Sequence, residues 1–195
     1  IGKSMLFRRS ELAEMGGLER VKDLLAEDFM LGRFFEAAGR KVLLSTTVAE
    51  NVNRETSVDR FMSRHARWLK MRAMIHVPAF VADLFANPVG LAVLAIALSR
   101  GDLRVVSLAL PIILIKVALD AWVLRRVRGS GMAWRHIAMA PLKDVLLFAL
   151  WPYCAISRSI EWRGARLRLG WNSALRPDHG ALPVRMARRL FRASA

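Results

Sequence analysis

Cysteine is nearly absent from this chain: Cys154 stands alone among 195 residues. A single thiol excludes an intramolecular disulfide and a thiolate metal cluster, and its place inside an apolar run suits a small core residue. Acidic residues are also scarce, 16 Asp and Glu against 31 Lys and Arg, and the imbalance is local. Residues 1–76 carry 14 basic and 10 acidic side chains, residues 77–124 carry 3 of each, and residues 125–195 carry 14 against 3. The last third therefore holds 11 of the 15 net positive charges, beside apolar segments. That stretch lacks interleaved aromatics, and no nucleic-acid-binding motif is present. The expected partners are anionic lipid headgroups, with no nucleic acid. Internal repeats and low-complexity tracts are lacking as well. So are an initiator Met and a signal peptide, since the chain opens on Ile1-Gly2-Lys3. The expectation is a C-terminal fragment of a longer protein.

Over residues 1–76, short helical and extended patterns alternate. Ser10 is placed as an N-cap with Glu11 and Glu14 in the first turn, and Gly16-Gly17 stops that helix. A second helix starts near Glu27, with Met30, Leu31, Phe34, Phe35 and Ala38 at helical spacing up to Gly39. Val42-Leu43-Leu44 reads as a buried strand. A third helix starts after Thr56, whose hydroxyl and Asp59 make an acidic variant of the capping box, and runs through Phe61, Met62, Arg67 and Trp68 towards Pro78. This alternation suits the C-terminal portion of an α/β nucleotide-sugar domain.

From residue 77 the texture changes. Val77–Leu98 and Leu103–Leu124 each have 22 residues, about 33 Å as helix, enough for a bilayer core of about 30 Å. With only Ser99–Asp102 between them they predict a transmembrane hairpin, and Asp83 and Asn87-Pro88 place the front half of the first stretch at the interface. Lys116 and Asp120, at i and i+4, neutralise each other near the boundary. The third apolar stretch, Ile137–Ile156, is interrupted by Pro141, Lys143-Asp144 and Pro152. Arg125, Arg126, Arg128 and Arg135 mark one side as cytoplasmic, and the Arg-rich tail from Arg158 claims the same side. Both hold only if residues 137–156 lie in the interface or re-enter; a true third span is the competing reading. The expected organisation is residues 1–76 as part of a catalytic domain, 77–157 as a membrane region and 158–195 as a basic cytoplasmic tail.

Two clusters carry candidate chemistry. Glu27-Asp28 can stabilise a helix N-terminus, the commoner reason for such a pair, or Asp28 can act as general base towards a hydroxyl with Glu27 positioning it. Arg64, Arg67 and Trp68 fall at i, i+3 and i+4 on one helix face, with His65 beside them. They fit a juxtamembrane helix meeting lipid phosphates, with Trp68 in the interfacial belt. They equally fit a pair of planar guanidiniums gripping a diphosphate leaving group, with an indole shaping the pocket. Lys3 and Ser4 fit a solvated strand end or contacts near an acceptor.

Taken in order, Gly2-Lys3-Ser4-Met5-Leu6-Phe7-Arg8, Glu27-Asp28-Phe29 with Leu31-Gly32, Arg64-x-x-Arg67-Trp68, a membrane hairpin, and Glu161-Trp162-Arg163-Gly164 with Arg166, Arg168 and Leu169 resemble the ceramide glucosyltransferase family (glycosyltransferase family 21/2-like). The likeness is greatest to its bacterial branch, which includes glycosyltransferases of hopanoid biosynthesis, and it spans residues 1 to about 171. The resemblance implies an inverting, metal-dependent transferase. Its GT-A domain faces the cytoplasm at a multi-pass bacterial inner membrane and moves one sugar from a UDP-sugar donor to a membrane lipid acceptor. It puts Asp28 on the catalytic base, with Glu27 beside it. Arg64, Arg67 and Trp68, with His65, fall on the product-proximal motif, and Lys3 falls near substrate. The acidic motifs that hold the nucleotide and a divalent Mg or Mn ion have no counterpart here and are expected upstream of residue 1, so this segment alone is expected to be inactive. Two rivals stand. A processive polysaccharide synthase usually has Gln where this chain has Arg64, and uses more membrane helices. A polybasic membrane-associated remnant would catalyse nothing.

Overall fold

A computed structural model describes residues 4–46, 57–129, 131, 133–162 and 165–178. The chain forms two compact units, one of residues 1–54 and 158–195, the other of residues 55–157.

The first unit joins both ends of the chain. Helix α1 (Arg9–Glu14) starts one residue earlier than the cap expected at Ser10: the carbonyl of Arg8 takes the first helical bond, from Leu12 N–H at 3.0 Å, and no side chain caps it. Gly17, at φ +66°, turns the chain out of this helix as the Gly16-Gly17 pair predicts. Helix α2 (Glu27–Ala37) ends in a Schellman turn, with Gly39 at φ +73° and Arg40 N–H bonded to the Phe35 carbonyl at 2.9 Å. Its inner face supplies Met30 and Leu31, which with Val21 make a small core closed by Leu12, Leu24 and Phe34. Arg20 lies 3.8 Å over the Phe34 ring, and Arg40 reaches Glu11 and Glu14 from across the unit. Val42-Leu43-Leu44 is not a strand; it is irregular, and Leu43 and Leu44 are exposed. Three apolar residues in a row do not make a strand without a neighbour for their backbone to ladder with, and none lies beside them among the described residues.

The stretch read as a basic tail holds a three-stranded antiparallel sheet in the order β1 (Ser159–Trp162), β2 (Ala165–Leu169), β3 (Leu175–Pro177). The register pairs Ser159 with Arg168 and Arg168 with Arg176. Ile160 and Leu169 are buried while the arginines of β2 point outward. Asp178 accepts from Ser159 at 3.0 Å and pairs with Arg166 at 3.3 Å.

The second unit is helical. Helix α3 (Val58–Ile75) is capped by Ser57, whose Oγ accepts from Arg60 N–H at 3.3 Å; the expected cap, Thr56, lies outside the described residues. The first apolar stretch is two helices, α4 (Val77–Phe85) and α5 (Pro88–Leu98), bent by 61° at Ala86-Asn87. Pro88 cannot donate to the preceding turn, and Asn87 Oδ1 takes the Gly90 N–H at 2.9 Å, so the break is written into Asn-Pro. After the turn at Arg100-Gly101 comes α6 (Leu103–Arg128), followed by α7 (Trp134–Ala138) and α8 (Ala140–Ile156). By length and composition, Leu103–Val127 (mean hydropathy 2.0) and Trp134–Ile156 (1.3) can each cross a membrane, and the bent pair makes a third if it is one span. Leu108, Leu114, Ile115, Leu119 and Trp122 of α6 are exposed, as side chains facing lipid would be. Helix α8 is the hub, packing on α3, α5 and α6. At its contact with α5, Phe148 covers Gly90 so closely that a Cβ there would sit 2.3 Å from the ring. Phe80 stacks on Trp151, whose indole N–H bonds the Phe80 carbonyl at 2.8 Å.

Candidate active site

Glu27 and Asp28 occupy the first turn of α2, as their sequence position predicts. Glu27 is exposed and Asp28 half-buried. Asp28 Oδ1 accepts the Phe29 N–H at 2.8 Å, and its other oxygen has no hydrogen-bond partner among the described residues. No side chain caps this helix. The segment before it is held from elsewhere. Ser173 Oγ accepts the Ala26 N–H at 3.2 Å, the Ser173 carbonyl accepts from Leu25 at 2.9 Å, and Leu175 N–H bonds the Asp23 carbonyl at 2.7 Å. Leu25, Ala26 and Ser173 are all buried. To present both its Oγ and its carbonyl, Ser173 sits at φ +60° and Asn172 at φ +53°. Two successive left-handed residues that are not glycine are costly, and such strain collects where geometry matters. The sheet thus serves as a clamp on the turn that aims Asp28.

Arg64, His65, Arg67 and Trp68 lie along α3, in the second unit. Arg64 and Arg67 are half-buried, and Trp68 is 49% exposed. His65 is fixed by its own helix. Its Nδ1 lies 2.8 Å from the Phe61 carbonyl, which makes Nδ1 the protonated nitrogen, and its ring meets Phe61 and the edge of Trp68. Lys70, two residues on, is buried, donates to Ser157 Oγ at 3.0 Å and Tyr153 Oη at 3.4 Å, and lies over the Tyr153 ring. Cys154 is buried against the Ala66 carbonyl, a packing role as expected. These contacts lock α3 onto α8.

His65 and Trp68 also wall a cavity of about 290 Å³ bordered by α3, α4, α6 and α8. Its other walls include Phe148 and Trp151, with Asn87, Lys116, Asp144 and the Arg72–Asp83 ion pair as its polar groups. The pair expected between Lys116 and Asp120 is present at 2.5 Å.

Sequence reasoning placed the two clusters on their helices. It missed Ser173, for which the only available signal was an Asn, a residue that tolerates left-handed backbone, before a small hydroxyl residue, and the burial of Lys70 and Asp144. Lys3 lies outside the described residues. Among the described residues no three His, Cys, Asp or Glu side chains converge as a metal-binding group, so donors for the divalent ion that the resemblance implies are not found there. A carboxylate with one free oxygen can take a proton, and two guanidiniums one helical turn apart can hold a phosphate chain.

The model of glycosyl transferase family 21 matches residues 1–175. Ceramide glucosyltransferase 3 of Caenorhabditis elegans is 27% identical over 186 residues, which cover 90% of this chain and 39% of that protein. Ceramide glucosyltransferase 1 of the same organism is 34% identical over 71 residues, 36% of this chain and 15% of that protein. The chain thus spans well under half of the length of these curated relatives. No solved structure matches it. With nine-tenths of its length inside one family model, including the Asp28 turn, the α3 motif and Ser173, this chain belongs to glycosyl transferase family 21.

Proposed function

We propose that the protein of which this chain is part is a membrane-bound, inverting glycosyltransferase that moves one sugar from a UDP-sugar to the hydroxyl of a membrane lipid. Asp28 takes the proton from the lipid hydroxyl, and that oxygen attacks the anomeric carbon from the face opposite UDP. As the bond to the diphosphate breaks, Arg64 and Arg67 carry the charge that builds on the leaving group, with Trp68 and His65 shaping the wall beside them. Glu27 steadies the same turn, and Lys3 belongs near the acceptor. A divalent ion, Mg or Mn, would supply further charge neutralisation in the whole protein.

What carries the reading is the match to family 21 over residues 1–175, which includes both clusters. The two relatives named as ceramide glucosyltransferases support a lipid alcohol such as ceramide as acceptor; a hopanoid-type alcohol is the other candidate. Two helices long and apolar enough to cross a membrane support a membrane location; the reading puts it at a bacterial inner membrane, with a GT-A catalytic face in the cytoplasm where UDP-sugars are made. The excess of Arg after residue 124 supports contact with anionic headgroups on that side.

The test is Asp28→Asn in the full-length protein. Turnover falls by about 10²–10⁴-fold, the usual range for a general base, while membrane insertion is kept. Near-normal lipid glycosylation by that variant would overturn the assignment. Product mass spectrometry separates this reading from a polymer synthase: one added hexose or N-acetylhexosamine per lipid is expected, and a ladder of sugars refutes it.

A further inference from the structure

The sheet of the first unit has two unlike faces. Opposite residues of an antiparallel pair share a face, so the register puts Ile160, Leu167 and Leu169 on the inner side and two polar rows on the outer. One row, Glu161 and Arg166 with Asp178 just past β3, is balanced. Arg166 donates to Ser159 Oγ at 3.0 Å and pairs with Asp178 at 3.3 Å. The other row runs Ser159, Arg168, Arg176. It sets two exposed arginines directly opposite each other, and among the described residues no acidic side chain pairs with either. Like charges facing across a strand pair weaken it.

The repulsion falls on the pairing that the clamp depends on. Leu175, next to Arg176, faces Leu169 in the same ladder and gives its N–H to the Asp23 carbonyl at 2.7 Å. Ser173, two residues back, holds Leu25 and Ala26. An anion that neutralises Arg168 and Arg176 therefore tightens β3 on β2 and, through it, the turn before Asp28. Two features favour a membrane surface over a soluble anion. Only Ser157 and Arg158 separate β1 from the apolar stretch that ends at Ile156, so the chain tethers the sheet beside whatever surface that stretch enters. Trp171, in the turn between β2 and β3, is exposed, an indole of the kind that sits at headgroup level.

We propose that the outer face of this sheet is a docking surface for anionic lipid headgroups, with Arg168 and Arg176 gripping lipid phosphate, and that docking firms the clamp on the Asp28 turn. Membrane charge then sets how well the base is placed. The docking itself is independent of the transferase reading, while its effect on turnover rests on that reading. Guanidiniums suit phosphate because their planar forks donate two parallel bonds. An arginine near an anionic leaflet is worth about fivefold in binding, and two are worth about 30-fold.

The experiment places the full-length protein in nanodiscs of phosphatidylcholine, alone or mixed with phosphatidylglycerol. Amide exchange over residues 24–28 and 166–177 is read beside lipid glycosylation. In the wild type, phosphatidylglycerol slows exchange in both segments by about 5- to 30-fold and raises turnover. Arg168→Gln combined with Arg176→Gln removes that response. It leaves exchange in neutral discs no faster than in the wild type, because the repulsion goes with the charge; a merely structural pair would loosen the sheet instead. Arg176→Glu sets an opposite charge across from Arg168 and protects both segments in either disc. Equal exchange of the wild type in the two discs, or an undiminished lipid response in the double variant, overturns the docking surface. Protection of the wild type by UDP in neutral discs, lost in the double variant, gives the pair to a soluble diphosphate and overturns it too. If exchange responds while turnover stays level, the link to Asp28 falls. If exchange responds and no lipid receives sugar in any disc, the transferase reading fails and the docking surface stands.

Discussion

Ser173→Ala removes one oxygen, far in sequence from any residue of the α3 motif, and its consequence follows from burial. Ser173 has no exposed surface and Ala26 has 2%. When Oγ is lost, the Ala26 N–H that it accepts at 3.2 Å has neither a protein partner nor water. Leaving a buried donor unpaired costs about 1–3 kcal/mol, roughly a 5- to 150-fold shift in the equilibrium between the clamped and open turn. Ala keeps the strain of φ +60° at this position. Ser173→Gly loses the same bond but relieves the left-handed cost of about 1–2 kcal/mol, so it is the milder of the two. Hydrogen exchange in the full-length protein reads this directly: amides of residues 24–28 exchange faster in Ser173→Ala, by the factor given, and less so in Ser173→Gly. Turnover follows, because a misplaced base loses rate even when it is chemically intact. Unchanged exchange in residues 24–28 of Ser173→Ala refutes the clamp, and with it the role given to the sheet. An order in which Gly is worse than Ala refutes the strain argument alone.

Gly90→Ala forces a Cβ to within 2.3 Å of the Phe148 ring, and overpacking of this kind costs about 1–3 kcal/mol. The expected outcome is a lower Tm in detergent that is restored in a Phe148→Ala background; no change in Tm refutes the close α5–α8 contact. Arg67→Lys keeps the charge but replaces a planar fork with a point donor. A loss of about tenfold or more in turnover, with insertion unchanged, is expected if Arg67 grips diphosphate. Equal activity assigns it to lipid headgroups.

Much of the local structure was legible because its signals are local. Glycines at φ +66° and +73° stop α1 and α2 where Gly17 and Gly39 stand, and the 3.6-residue recurrence of Met30, Leu31 and Phe34 located the inner face of α2. The same reasoning failed at Val42-Leu43-Leu44, where an apolar run has no partner to make it a strand, and it passed over β1–β3. Those strands are short, rich in Arg, and read as a charged tail by composition; only Ile160 and Leu169 mark their inner face. Of the candidate site, residue types and order were legible, while the support was not. Ser173 and Ala26 are 147 positions apart, and Lys116 and Asp144 sit on helices whose packing no periodicity reveals. Asn87-Pro88 signalled that the first apolar stretch is not uniform, but the 61° bend between α4 and α5 is a matter of packing that the dipeptide alone does not give.

The same long-range contacts constrain how the chain crosses a membrane. Asp23 to Ala26 are hydrogen-bonded to Ser173 and Leu175, so residues 23–26 and residues 173–175 lie on one side of any membrane. The number of crossings between them is therefore even. Three segments are available: the bent pair α4–α5, the uninterrupted helix α6, and α7–α8. If all three crossed, the Leu24–Ala174 bridge would have to form across the bilayer, which is excluded. With α6 as the most apolar of the three crossing, one of the others crosses and the other enters and returns. If α4–α5 crosses, the Arg100 turn is outside and the segment between α6 and α7 is inside with Arg125, Arg126 and Arg135. If α7–α8 crosses, these positions exchange. Positive residues are retained on the cytoplasmic side. The α6–α7 segment, with Arg128 as well, outnumbers the two arginines, Arg100 and Arg104, that flank the other turn. On this balance the expected crossing pair is α4–α5 and α6, with α7–α8 entering and returning. Substituted cysteines at Ser99 and Gly131, with Cys154 replaced by Ala, decide it. A membrane-impermeant thiol reagent applied to intact cells labels Ser99→Cys and spares Gly131→Cys. The reverse pattern makes α7–α8 the second span, and labelling of neither or both means that α6 does not cross, which overturns the choice of α6.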